Sequence, residues 1–246
     1  IGGFELGLER AIPNSCTIWQ IEQNKYCQSI LKKHWPDSKI YGDIRTINTT
    51  ELTPVDIICG GFPCQDISTA GKMDGIHGKK SSLWFEMWRI ISDLRPKIVV
   101  LENVPAITFQ GLDTVLGCLA QLGYSAEWGI ISARDFGAPH LRKRWFCVAY
   151  SNSKRIKKQP LHTFSMGSTR LFKCGNSKDG RIQPKNYWEK IQTPSRLCSV
   201  DDGISQRVAR LAALGNAIVP QCAEFIGHYI NNSGILINPK PARQTQ

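Results

Sequence analysis

No apolar run in the 246 residues approaches the roughly 20 needed to cross a bilayer. The opening residues, Ile1-Gly2-Gly3-Phe4-Glu5, carry neither a basic n-region nor a cleavage site, so no secretory signal is expected. Cys-x-x-Cys pairs are absent. The nine cysteines are an odd number, scattered along the chain. They fit a reducing cytosol better than a disulfide framework, and they offer no zinc spacing, so no metal is expected. A Gly-x-Gly-x-x-Gly fingerprint is also missing, which argues against a nicotinamide oxidoreductase. Acids are scarce: 20 Asp and Glu face 31 Lys and Arg, for a formal charge of +11.

That charge is unevenly spread. Residues 151–195 hold ten Lys or Arg, among them Arg155, Lys157 and Lys158, against two acids, and supply +8 of the +11. Charge gathered in one segment is the footprint of a phosphate-backbone partner. A solvated basic linker has the same composition, and charge alone does not separate the two. Asn152, Asn176 and Asn186 sit there among aromatics and cations, with no helical period. The length allows one sizeable core and a small appendage.

The centre of the chain is Val55 to Ser68. Val55-Asp56-Ile57-Ile58-Cys59 begins as a short apolar run of the kind that makes a buried strand. Gly60 and Gly61 are expected to stop it and turn the chain, and Pro63 to restrict the loop before Cys64. In open α/β sheets, chemistry sits beyond the carboxyl ends of strands. Cys64 is placed where a nucleophile would be, although a lone cysteine is more often a small buried hydrophobe. Gly60-Gly61-Phe62-Pro63-Cys64-Gln65, followed by Ile67-Ser68, resembles the nucleophile motif of DNA (cytosine-5) methyltransferases.

The resemblance covers most of the chain in the family's order. Ile1-Gly2-Gly3-Phe4-Glu5 resembles the second half of the first cofactor motif. The strand that precedes it in the family, at the sheet centre, is not in the sequence, and weaker cofactor binding is expected from a chain without it. Phe4 to Ala11 reads as a helix with Phe4, Leu8 and Ala11 on one side, and Thr17 to Ile21 as a strand. It ends at Glu22, where Rossmann-like folds hold a ribose. A helix over Lys25–His34 stops before Pro36, and Ile40-Tyr41 is a short strand. The resemblance gives Asp43 the adenine amino group and Ile44 the ring. Beyond Cys64, a loop to Ser82 carries glycines with Lys72, Lys79 and Lys80, and resembles one that closes over DNA. A helix follows to Leu94, with Leu83 at a cofactor-lining position.

Lys97 to Val104 is β-branched and ends in Glu102-Asn103-Val104, which resembles the second catalytic motif. A carboxyl in such a run is costly without a partner or a task. Leu112–Leu122 reads as a helix, Glu127–Ser132 as a strand and Trp145–Tyr150 as another. Before the last comes His140-Leu141-Arg142-Lys143-Arg144, similar to the family's Gln-x-Arg-x-Arg with His for Gln. The alternating arginines are expected to share one face. Leu214-Gly215-Asn216-Ala217, with Pro220, resembles the closing motif, which returns beside the first; a helix runs on to about Ile230.

The resemblance thus implies an α/β protein: a Rossmann-like S-adenosylmethionine-dependent methyltransferase fold with a mostly parallel central sheet and a small target-recognition region. Residues 1–150 would form the catalytic and cofactor-binding domain, 151–195 a short basic recognition region, and 196–246 a segment returning to the catalytic domain. The implied reaction is methylation of cytosine C5 in double-stranded DNA. Cys64 adds to C6 of a flipped-out base, Glu102 protonates at N3, Arg144 holds O2, and Arg142 supports Cys64 or a phosphate. Gly2, Gly3, Phe4, Glu22, Asp43, Ile44, Pro63, Leu83 and Asn216 would hold S-adenosylmethionine. Gln65, Ser68, Lys72, Lys79, Lys80, Arg155, Lys157 and Lys158 would meet DNA. A cytoplasmic monomer held to the nucleoid by DNA is expected, with a restriction endonuclease as a functional partner only. The alternatives are a catalytically silent DNA-binding remnant and, ranked lower, a methyltransferase acting on RNA.

Overall fold

The computed structural model describes residues 1–63, 83–109, 111–151, 213–234 and 236. Helix α1 (Gly3–Ala11) leads to β1 (Trp19–Ile21), α2 (Lys25–His34) and β2 (Lys39–Tyr41). β3 (Ile57–Gly61), α3 (Leu83–Leu94) and β4 (Ile98–Asn103) follow. Then come α4 (Leu112–Gln121), β5 (Tyr124–Ser132), β6 (Lys143–Ser151) and α5 (Pro220–Asn232). The expected elements all form, with shifted ends. β1 is shorter than expected because Thr17 leaves the ladder: its amide and hydroxyl both donate to Glu9 Oε1. α2 starts at Lys25 because the Asn24 side chain caps it, accepting from the Cys27 amide at 3.1 Å.

The strands form two sheets. β1 and β2 pair in parallel over three residues. The other four are ordered β3-β4-β6-β5. β3 is parallel to β4, and β6 is antiparallel to β4 and β5. β6 alone therefore runs against its sheet, giving the α/β class with mostly parallel strands.

β4 is the spine of the core. Ile98, Val99, Val100 and Leu101 are all 0% exposed, as a strand covered on both faces requires. Alternation sends Ile98 and Val100 towards α1 and α5, where Phe4, Leu8, Ile226 and Ile230 lie. Val99 and Leu101 face α3 and α4, with Trp84, Ile91, Val115 and Leu119. Each such buried aliphatic side chain contributes roughly 1.5–3 kcal/mol. Trp19, Ile21 and Tyr41 of the smaller sheet pack against this second cluster.

One expectation fails instructively. Gly60 and Gly61 do not turn the chain out of the sheet; they are the last two residues of β3, still in the ladder opposite Leu101 and Glu102. What they provide is room. A Cβ on Gly61 would lie 2.7 Å from Glu102 Oε2, and one on Gly60 3.1 Å from Met87 Cε. The backbone remains extended and the missing side chains make space for their neighbours.

Candidate active site

The carboxyl ends of β3 and β4 lie side by side, and the site is built there. Glu102, one residue before the end of β4, has a side chain 12% exposed. Arg144, from the start of β6, donates through Nε to Glu102 Oε1 at 2.9 Å. Burial pushes the Glu102 carboxyl above its ordinary value; Arg144, then Arg142, pull the other way and limit the rise without reversing it. The result is an enclosed carboxyl that keeps its proton to higher pH than a free glutamate would. Asn103 is 3% exposed. It donates through Nδ2 to the Phe62 carbonyl at 2.8 Å and accepts from the Val104 amide at 2.8 Å. Asn103 thereby ties the chain leaving β3 to the end of β4. The sequence places Asn103 in a motif but assigns it no task; the signal was an amide directly before Val-Pro at a strand end.

Cys64, Gln65, Ser68, Lys72, Lys79, Lys80, Arg155, Lys157 and Lys158 lie outside the described residues, as does 152–195. Pro63, exposed just past β3, is the last described residue before Cys64.

The two arginines hold different partners. Arg142 precedes β6 and has φ +28°, a left-handed conformation that breaks the alternation. Its Nη2 donates to the carbonyls of Gly215 at 2.7 Å and Ala217 at 2.6 Å. Arg142 therefore grips the segment around Asn216, while Arg144 stays with Glu102. Ile218 lies against Gly3, where a Cβ would stand 2.4 Å from the Ile218 carbonyl oxygen.

The residues expected to hold a nucleoside fall at the carboxyl ends of β1 and β2. Glu22 follows β1 and accepts from the Asn24 amide at 2.7 Å. Asp43 follows β2 and caps the turn Ile44–Thr46, accepting from the Arg45 amide at 3.0 Å. Arg89 of α3 anchors that turn: Nη2 donates to the Ile44 carbonyl and Nη1 to the Ile47 carbonyl, both at 3.1 Å. Nothing in the sequence singled out Arg89 for this turn, because the Ile44 and Ile47 carbonyls lie more than 40 positions away. Gly2 opens α1 with φ +85°, and the Trp35 ring lies so close that a Cβ there would meet it at 2.3 Å. Phe4, in the first turn of α1, points inward. It is 5% exposed and packs edge-on against Phe146, so its ring belongs to the core. Leu83 begins α3, and Asn216 is exposed. A cleft of about 920 Å³ opens between the start of α1, Trp35, Arg142, Arg144 and Ala217–Pro220. Glu22 and Asp43 do not line it.

Carboxylates at the ends of neighbouring parallel strands suit ribose hydroxyls and an adenine amine, so the residues present fit an adenosyl group. Among the described residues no cluster could hold a metal ion, and no helix is long and apolar enough to cross a membrane.

The chain is similar to known proteins. The profile of the family described as C-5 cytosine-specific DNA methylase matches residues 1–195. Type II methyltransferase M.HhaI of Haemophilus parahaemolyticus is 32% identical over 164 residues, covering 64% of this chain and 48% of that protein. Type II methyltransferase M1.ScrFI of Lactococcus lactis subsp. cremoris is 35% identical over 157 residues, covering 61% and 39%. The chain thus spans about half or less of these relatives. Among solved structures, a putative DNA modification methyltransferase encoded within an Escherichia coli prophage superposes with a TM-score of 0.52 at 24% identity. It covers 64% of this chain and 46% of that one. A Spodoptera frugiperda DNMT2 mutant gives 0.51 at 19% identity, over 65% and 50%. These two likenesses speak for the fold.

Proposed function

Because the chain belongs to the C-5 cytosine-specific DNA methylase family, we propose that it methylates C5 of cytosine in double-stranded DNA, with S-adenosylmethionine as the source of the methyl group. The observation that carries the reading is the buried Glu102–Arg144 pair at the end of β4, beside the strand that leads into Pro63 and Cys64. Cytosine C5 is a poor nucleophile. A thiolate adding at C6 breaks the aromaticity and makes C5 electron-rich, and Cys64 is the residue suited to that addition. Electron density then builds on the ring. Glu102, whose burial favours the protonated form, is suited to deliver a proton at N3, and Arg144 to hold O2. The base must leave the duplex for sulfur to reach it. Bound at Glu22, Asp43 and the Gly2–Gly3 turn, S-adenosylmethionine would supply an electrophilic methyl group; loss of the C5 proton would then expel the Cys64 thiolate from C6 and restore the aromatic ring. Arg142, by gripping Gly215 and Ala217, would keep Asn216 beside that group. Double-stranded DNA as the partner is part of the same proposal, with the basic segment 151–195 as its phosphate contact.

The test is transfer of a tritiated methyl group to cytosine-containing duplex DNA. The parent chain should label DNA, and Cys64→Ser should abolish labelling while retaining DNA binding. Labelling by the serine variant would remove Cys64 from the chemistry. Labelling of tRNA in preference to duplex DNA would overturn the substrate.

A further inference from the structure

The Asp43 carboxylate is already fully engaged. Oδ1 accepts from the Arg45 amide at 3.0 Å and from Arg45 Nε at 2.9 Å. Oδ2 accepts from Nε at 3.0 Å and from Nη2 in a closer contact. A carboxylate offers about four acceptor positions, and four contacts from one residue fill them. The effect registers on the acid: hydrogen bonding from Arg45 holds the Asp43 carboxyl below its usual range. The two partners differ in freedom. The turn that carries them is pinned through the Ile44 and Ile47 carbonyls by Arg89. The Arg45 side chain, by contrast, is 55% exposed, against 22% for Asp43. A ligand donating to Asp43 must therefore displace the guanidinium rather than reshape the turn.

We propose that Arg45 is a built-in competitor for the adenosyl site: its guanidinium occupies Asp43 and has to swing aside before an adenine amino group can donate there. This rests on the reading of Asp43 as the adenine acceptor. The consequence is a site that holds adenosyl ligands more loosely than its residues otherwise allow, substrate and demethylated product alike. An exposed ion pair with a long, mobile side chain is weak, so the effect is modest, about twofold to fivefold in affinity. Salt would narrow it, since screening weakens the exposed pair.

The experiment is calorimetric titration of S-adenosylhomocysteine into the full chain. Three proteins are compared: the parent, Arg45→Met, which keeps length but loses charge and donors, and Asp43→Asn. Arg45→Met should bind about twofold to fivefold tighter than the parent at low salt, with the gap shrinking at high salt. Asp43→Asn should bind more weakly than the parent, and adding Arg45→Met to it should give no gain. If Asp43→Asn weakens binding but Arg45→Met leaves it unchanged or weaker, the competitor role is overturned and the site reading stands. If Asp43→Asn binds as the parent does, or neither the parent nor Arg45→Met binds, the adenine role of Asp43 falls and the competitor role with it.

Discussion

Glu102 shows how one side chain's surroundings set its chemistry. Its carboxyl is enclosed by β3 on one side and Arg144 on the other, and burial outweighs the arginine in the direction of its titration. The sign of the linkage follows. A proton bound more tightly in the fold than in the unfolded chain stabilises the fold. That contribution is fully present below the ordinary value of 4.5 and is lost as pH rises through the raised folded value. Glu102→Gln cannot titrate and lacks this loss. Urea denaturation of the two proteins from about pH 5 to about pH 8 should show the parent losing stability relative to the variant as pH rises. The opposite slope would mean that the Arg144 pair dominates. Methyl transfer by Glu102→Gln should fall by about a hundredfold to ten-thousandfold, the usual worth of a positioned proton donor. Glu102 was legible in the sequence as an acid ending a β-branched run. Arg144 was legible as a residue of interest, but its partner was not, because only the β4–β6 register brings the two together. Gly61 was misread: a glycine before a Pro-Cys loop suggests a turn, and nothing local reveals a carboxylate oxygen standing where its Cβ would be.

At the scale of elements, α1 and α5 meet through glycines, and this contact sets the closing segment on the site. A Cβ on Gly7 would lie 2.5 Å from the Pro220 carbonyl oxygen and 2.6 Å from the Glu224 amide nitrogen; one on Gly227 would lie 2.6 Å from Ala11 Cβ. Two effects compete in Gly7→Ala. Helix propensity favours alanine by about 1 kcal/mol. Overpacking costs about 1–3 kcal/mol, and here the obstacles are backbone atoms that cannot rotate away. The clash should win, leaving Gly7→Ala less stable by about 1–2 kcal/mol in a urea midpoint comparison. A stabilised variant would mean that the helices sit further apart than described. Helix α1 itself was readable, since Phe4, Leu8 and Ala11 recur at helical spacing and all three are buried. Its partner was not. Contacts between residues 3–11 and 218–227 depend on the whole intervening chain folding back, and no periodicity encodes that.

Across the whole molecule, cohesion is uneven, and the unevenness falls on the proposed adenosyl site. β4 and β6 are paired over six positions and buried on both faces. β1 and β2 share only three and belong to a separate two-stranded sheet, held to the rest by side chains such as Trp19, Ile21 and Gln20. The class and element order were visible in the sequence because each strand carries its own apolar pattern. The division into two sheets was not, because hydrogen-bond partners are chosen by geometry and not by composition. Small, thinly paired units open more readily than a doubly covered core. Native-state hydrogen exchange should therefore find the ladder amides of β1 and β2, such as that of Glu22 donating to the Tyr41 carbonyl, at least about tenfold less protected than those joining β4 to β6. Glu22 and Asp43 lie at the ends of those two strands, whereas the Glu102–Arg144 pair belongs to the larger sheet. A ligand held by Glu22 and Asp43 binds only when β1 and β2 are in place, so it must stabilise that pair by mass action. Saturating S-adenosylhomocysteine should slow exchange in β1 and β2 and leave the slowest amides of β4 and β6 nearly unchanged. Equal slowing everywhere would mean that the small sheet opens only with the whole fold, and protection confined to β4 and β6 would place the ligand away from Glu22 and Asp43.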